Sequence, residues 1–179
     1  VGIPARQVYT PRWAHTDDNH AWVEVYINGE WKYLGACEPE PELNIGWFDG
    51  PVKRAMMVHT KAYGKYQGDE TILEENDKYS ILNLLKNYVP VKDIYVKIID
   101  AKNLPLKDIN VEFGLYNYAE YYPLKLSKTN ENGLTSLKTG FGDLRILASD
   151  SNGNFEVRYI TVEKADTIII GGAMANTFL

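Results

Sequence analysis

The stretch His20–Ile27, HAWVEVYI, alternates residue by residue and runs directly into Asn28-Gly29. Period-two alternation marks a strand with two unlike faces. Here Ala21, Val23, Val25 and Ile27 form one face, and His20, Trp22, Glu24 and Tyr26 form the other. Asn-Gly supplies the two positive-φ positions of a type I′ turn, whose twist matches that of the strands it joins. Glu30–Cys37, EWKYLGAC, is then the returning strand. With a two-residue loop Ile27 faces Glu30, and counting back puts Trp22 opposite Gly35 and His20 opposite Cys37. Directly opposed side chains share a sheet face with Cβ atoms about 4.5–5.5 Å apart. The expectation is that the cysteine and a histidine are neighbours, unless a bulge near Gly35 breaks the register.

Around this hairpin, Arg6–Thr10 reads as a short strand ended by Pro11. Glu38-Pro39-Glu40-Pro41 stops regular structure, because proline cannot donate to a ladder and restrains the residue before it. Gly50-Pro51 opens one or two helical turns through Met57. Tyr79–Leu85 reads as a strand or a connector. From Val91 the texture changes to short strands: Ile94–Ile98, Ile109–Leu115, Leu124–Lys128, Leu134–Leu137, Leu144–Ala148, Phe155–Val162 and Thr167–Ile170. Asn103–Lys107 is turn-like, and the connectors Asn130–Gly133 and Asp150–Asn154 are rich in residues that tolerate left-handed conformations. The fold expected is mostly β to α+β. An antiparallel sheet occupies residues 1–65, a connector 66–90, and a seven-stranded β-sandwich 91–179.

Composition removes several function classes. The net charge of −5 comes from interspersed acids and bases, which argues against nucleic acid or an anionic membrane as a partner. No apolar run is long enough for membrane insertion. A single cysteine allows no disulfide within the chain and no cysteine-based zinc site. The three histidines, His15, His20 and His59, lack metal-ligand spacing, so neither metal nor cofactor is expected.

A Cys–His pair has chemistry available to it, because imidazole holds a thiol as thiolate and later returns the proton. The bland alternative is that a lone cysteine packs as a small hydrophobe. His15 and His59 read as solvated or structural, and Arg6 as one end of an ion pair or an organiser of the loop near the His20 strand. Gly140–Asp143, GFGD, joins two strands and opens no helix, so it is a turn and not a phosphate loop. Tyr116, Tyr118, Tyr121 and Tyr122 cluster before Pro123, either lining a domain interface or capping a core, or presenting flat faces to a glycan or protein.

Gly2–Arg6 (GIPAR), His20–Val25 (HAWVEV) and the hairpin into a short tryptophan-containing strand together resemble the transglutaminase-like core. That superfamily includes transglutaminases, protease-like relatives and peptide N-glycanases, and uses a Cys–His–Asp triad on a papain-like scaffold. The resemblance implies an antiparallel-sheet remnant of that core, with His20 as the catalytic histidine. It places the nucleophilic cysteine on a helix upstream of Val1, in a missing N-terminal part of the same parent chain, so that the chain alone is expected to be inactive. The usual aspartate position is Gly35, which leaves Glu38 as the nearest carboxylate and the second catalytic candidate if the strand bulges. Trp22 and Cys37 are the expected substrate-lining residues. Trp22 and Trp31 alternate with the apolar hairpin face and read as either core or substrate wall; Trp22 is placed at the site because it shares a face with His20. The wider stretch GACEPEPELNIGWF, with RAMMVHT at Arg54–Thr60, resembles a bacterial subgroup in which glycine at this place is not unusual. The activity implied is thiol-dependent acyl transfer or hydrolysis at an amide of a protein or peptide.

Val96–Phe113 and Lys128–Gly140 resemble the pre-albumin-like or immunoglobulin-like modules appended to bacterial secreted and surface enzymes, which implies an extracytoplasmic location. Two rival readings stand beside the enzyme: a non-catalytic module that binds glycan or protein, which Gly35 favours, and a structural spacer.

Overall fold

The computed structural model describes residues 2–37 and 40–163, and the backbone of 168–173. The chain divides into two units, Val1–Pro90 and Val91–Leu179. In the first, β1 (Ala5–Thr10), β2 (His20–Ile27) and β3 (Glu30–Leu34) pair antiparallel. Asn28 and Gly29 have φ of 55° and 85°, the type I′ signature, and Ile27 faces Glu30 as expected. Further on come β4 (His59–Tyr63), β5 (Thr71–Glu75) and β6 (Tyr79–Asn83). Among the described residues the sheet has six strands in the order β3-β2-β1-β4-β6-β5. The stretch 66–90, expected as a connector, therefore contributes two strands to this sheet. β6 falls where Tyr79–Leu85 reads as a strand or a connector, whereas β5 is hidden by its polar sequence, because it is an edge strand, largely exposed, with a register shift between Ile72 and Glu74.

The register decides which face is buried. Thr10 opposes His20, Val8 opposes Trp22 and Arg6 opposes Glu24, so these six side chains share a face. Trp22 stacks on Phe48 at 4.7 Å and meets Tyr88 edge-on at 5.3 Å, which places the covering segments on that same side. Trp13, Trp22, Phe48, Met56, Met57, Leu84 and Leu85 are fully buried or nearly so. The alternation in β2 is as read, yet the aliphatic set Ala21, Val23, Val25 and Ile27 is only half-buried. Aromatic rings bury far more area than valines, so the face with Trp22 becomes the core side. The helical segment is a single turn, α1 (Asp49–Val52). It stops short of Met57 because Ala55, Met56, Met57 and Val58 are buried in succession, which a surface helix with one buried stripe does not allow.

The second unit is a β-sandwich. Its strands are β7 (Lys92–Ile99), β8 (Asn110–Asn117), β9 (Glu120–Lys128), β10 (Leu134–Thr139), β11 (Gly142–Ser149), β12 (Phe155–Val162) and β13 (Ile168–Ala173). They form sheets in the orders β10-β7-β13 and β12-β11-β8-β9, antiparallel except for the parallel pair β7–β13. Ile94, Val96, Ile98 and Leu137 from one sheet and Val111, Phe113, Leu115, Leu144, Ile146 and Ala148 from the other are buried, as period-two strands around one core require. The last strand was expected over Thr167–Ile170; Thr167 lies outside the described residues.

One local device closes three of the connections. Asp100, Asn130 and Asp150 each accept, through Oδ1, the backbone N–H groups two and four residues on. The residue three positions on is left-handed in every case: Asn103 at φ 63°, Gly133 at 71° and Gly153 at 87°. Short side-chain amides and carboxylates imitate a backbone turn in this way. At Gly133 the glycine is also a matter of space, since a Cβ there would run into the carbonyl of Ile98.

Candidate functional site

His20 opens β2, opposite Thr10 at the end of β1. Its imidazole is surrounded by rings: Trp47 edge-on at 4.6 Å, Phe48 at 5.2 Å, Trp22 stacked at 5.8 Å and Trp13 stacked at 6.3 Å. Rings on several sides limit how far an imidazole can rotate, so the plane in which it presents its nitrogens is restricted. Trp47 is half-exposed and forms a wall of a pocket of about 220 Å³ that is also lined by His20, Ala21, Gly35, Ala36 and Cys37.

The structure brings most of the expected residues to this place. The β2–β3 ladder ends at Val23↔Leu34, so His20 and Cys37 are not ladder partners; the chain beyond β3 nevertheless keeps Gly35–Cys37 on the pocket wall. Cys37 is exposed. Trp22, expected to line the substrate, is instead a core residue. It is fully buried, stays off the pocket wall and packs as a floor beneath His20, because its ring is enclosed by Phe48 and Tyr88. Gly35, at the expected aspartate position, lines the same pocket as the histidine. Glu38 falls outside the described residues.

Beneath the floor runs a polar chain. Trp22 Nε1 donates to the Tyr88 hydroxyl at 2.8 Å, and Tyr88 donates to Glu24 Oε1. Glu24 Oε2 accepts from Arg6 Nε at 2.5 Å, and Arg6 Nη1 reaches Glu70 at 3.1 Å. The Arg6 guanidinium also lies 4.0 Å from the Trp31 ring centroid. Glu24 is almost fully buried, so its charge has to be matched by a cation and donors. Burial first, and then the Glu24 carboxylate, hold the Tyr88 hydroxyl far above its ordinary value, which keeps it a proton donor at any working pH. Nearby, Tyr33 donates to Asp49 at 2.9 Å and touches Phe48 and Tyr88. Burial, followed by Asp49, pushes the Tyr33 hydroxyl up to about 12.

The other histidines stand apart from this pocket. His59 on β4 stacks on Tyr9 at 5.6 Å, with Nδ1 buried and without a hydrogen-bond partner. Burial, and secondarily Lys61, lowers it to about 4. His15 packs against Trp13 and is lowered by burial and then by Arg54. Among the described residues no group of three His, Cys, Asp or Glu side chains is placed to hold a metal, and no helix is long and apolar enough to cross a membrane.

Trp13, Trp47, Phe48, Tyr33 and Tyr88 complete this environment without having been singled out in the sequence. The Glu24↔Tyr33 pairing was readable from the hairpin register. Trp47 and Phe48 sit in an irregular stretch after the prolines, where no periodicity assigns a face.

Residues 1–36, ending at the pocket wall, match the transglutaminase-like superfamily. No curated protein matches the sequence. Among solved structures the chain is similar to a Streptococcal ancillary pilin, at 7% identity and a TM-score of 0.41, over 96% of this chain and 62% of that one. It is also similar to BcpA, the major pilin subunit of Bacillus cereus, at 13% identity and a TM-score of 0.36, over 62% of this chain and 40% of that one. The chain thus spans 62% of the length of the ancillary pilin.

Proposed function

We propose that the first unit supplies the histidine half of a transglutaminase-like thiol site acting on amides of proteins or peptides outside the cytoplasm. The observation that carries this reading is His20 itself. It lies in the stretch that matches the superfamily, is caged by rings, and faces a pocket shared with Gly35 and Cys37.

In this reading a thiol from outside these 179 residues gives its proton to His20, and the thiolate attacks the amide carbonyl. The tetrahedral intermediate collapses as His20 passes that proton to the leaving nitrogen, and a thioester remains. An amine or a water then gives a proton to His20 while attacking the thioester, and the thiol leaves with that proton. Trp22 fixes the imidazole from below, Cys37 and Trp47 border the acyl group, and Glu38 orients the imidazole in place of the aspartate that Gly35 replaces.

The test uses the polypeptide that bears this chain. Ammonia release and incorporation of a fluorescent amine are measured with a glutamine-containing peptide. His20→Gln should lower kcat/KM by at least about a hundredfold with an unchanged melting temperature. The glycine at position 35 favours a second reading, a core that binds without catalysing; no turnover by the unaltered protein, or undiminished turnover by His20→Gln, selects it.

A further inference from the structure

Three tyrosines line up across the outer face of the four-stranded sheet in the second unit. Tyr116 on β8 opposes Tyr121 on β9, with ring centroids 5.4 Å apart, and Tyr121 lies 5.6 Å from Tyr159 on β12. Between them Arg145 on β11 opposes both Tyr159 and Gly114. A Cβ at Gly114 would sit 3.2 Å from Tyr121 Cβ, so the missing side chain is the space over which Tyr121 leans towards Arg145. The guanidinium lies 4.8 Å from the Tyr121 ring and is held by Glu112 at 2.5 Å. Asp143, exposed on the same face, accepts from Thr161 at 2.6 Å. Tyr116 and Tyr159 remain 44% and 67% exposed, so their faces are open to a ligand.

A second observation points the same way. The β8–β9 turn is a two-residue hairpin in which Tyr118 and Ala119 have φ of 48° and 63°. Left-handed geometry strains a residue with a side chain, which Asn-Gly would largely avoid. The chain instead holds a tyrosine, 68% exposed, at the tip beside Tyr116. Strain kept at an exposed aromatic is a pointer to use.

We propose that this face binds a neutral polysaccharide. Sugar rings offer apolar C–H faces that stack on flat aromatics, and hydroxyls that need both donors and acceptors. Tyrosine hydroxyls and Arg145 donate, and Glu112 and Asp143 accept. Glu112 and Asp143 are balanced by Arg145 and, further along the same face, by Lys128, so the face carries no net charge to draw an acidic glycan or a nucleic acid. A strand-adding peptide needs a free edge, and a proline-rich one an aromatic groove; this is a sheet face. A protein interface core would be depleted of charge here, and it is not. The platform is held by the sheet before any ligand arrives, so little ordering is lost on binding.

The experiment is affinity electrophoresis of the whole chain through gels containing a β-glucan, a xylan, a galactomannan or, as acidic control, polygalacturonate, with a proline-rich peptide titrated in parallel. Retardation is expected in at least one neutral gel. Tyr121→Ala and Tyr159→Ala should each weaken it about tenfold or more. Tyr159, on an edge strand and largely exposed, guards against a variant that merely unfolds. Tyr95→Ala on the other sheet should leave binding unchanged, as should His20→Gln. No retardation in any neutral gel overturns the proposal. So does preference for polygalacturonate or the peptide, or unaltered binding by both tyrosine variants.

Discussion

Trp22 Nε1 donates to the Tyr88 hydroxyl at 2.8 Å, and through that bond the floor under His20 is tied to the end of the first unit. Trp22 is fully buried and Tyr88 half-buried, and the same hydroxyl then donates to Glu24. Losing it leaves an indole N–H without its acceptor and a buried carboxylate short of a donor. Tyr88→Phe should therefore cost about 1–3 kcal/mol in urea unfolding. It should also alter the near-ultraviolet dichroism of the tryptophans around His20. An unchanged unfolding midpoint would show that the Tyr88 bond carries no stability.

The Arg6–Glu24 pair gives a sharper contrast. A buried charge stripped of its partner is far more costly than a pair removed together, so Arg6→Met alone should destabilise by about 3–5 kcal/mol. Glu24→Gln keeps an acceptor for Tyr88 and removes the charge. Added to Arg6→Met, it should recover a large part of that loss in a double-mutant cycle. Additive losses would rule out the coupling.

His59 should make stability fall on mild acidification. Burial lowers its folded value from 6.5 to about 4. As pH falls below about 6.5 the unfolded chain takes up the proton first, so the contribution present above that value is lost progressively, by up to about 3 kcal/mol near pH 4. His59→Gln should flatten this part of the stability profile measured from pH 4 to 7. An identical slope in the variant would assign the acid sensitivity to other groups.

The hairpin tip offers a gain. Tyr118→Asn with Ala119→Gly replaces two strained left-handed residues by the pair suited to a type I′ turn, and should stabilise the chain by about 1–2 kcal/mol. If Tyr118 takes part in polysaccharide binding, the stabler variant should also bind less. Greater stability with intact binding would leave the tip without a ligand role.

How much of this was readable varied with the local physics. Asn28-Gly29 fixed the β2–β3 register, because one turn type satisfies both that dipeptide and the strand twist. Extended past its last pair, Val23↔Leu34, that register sets His20 opposite Cys37; the ladder itself stops there, yet His20, Gly35 and Cys37 still line one pocket. Tyr118-Ala119 carried no such signal. The expected strands accordingly stopped at Leu115 and resumed at Leu124, although β8 and β9 run through the tyrosines between them. Tyr159, distant in sequence, could join Tyr121 only through the strand order β12-β11-β8-β9. The ring cage around His20 was hidden for a related reason. Trp47 and Phe48 lie in irregular chain, and tertiary packing alone decides where such residues point.

The most direct test of the central claim follows the His20 ring protons by NMR through a pH titration of the chain, alongside Cys37→Ala and Glu38→Gln. If His20 belongs to an assembled polar site, its titration midpoint should move by about half a pH unit or more in at least one of the two variants. A His20 that titrates as a free imidazole and ignores both changes would contradict the proposed site.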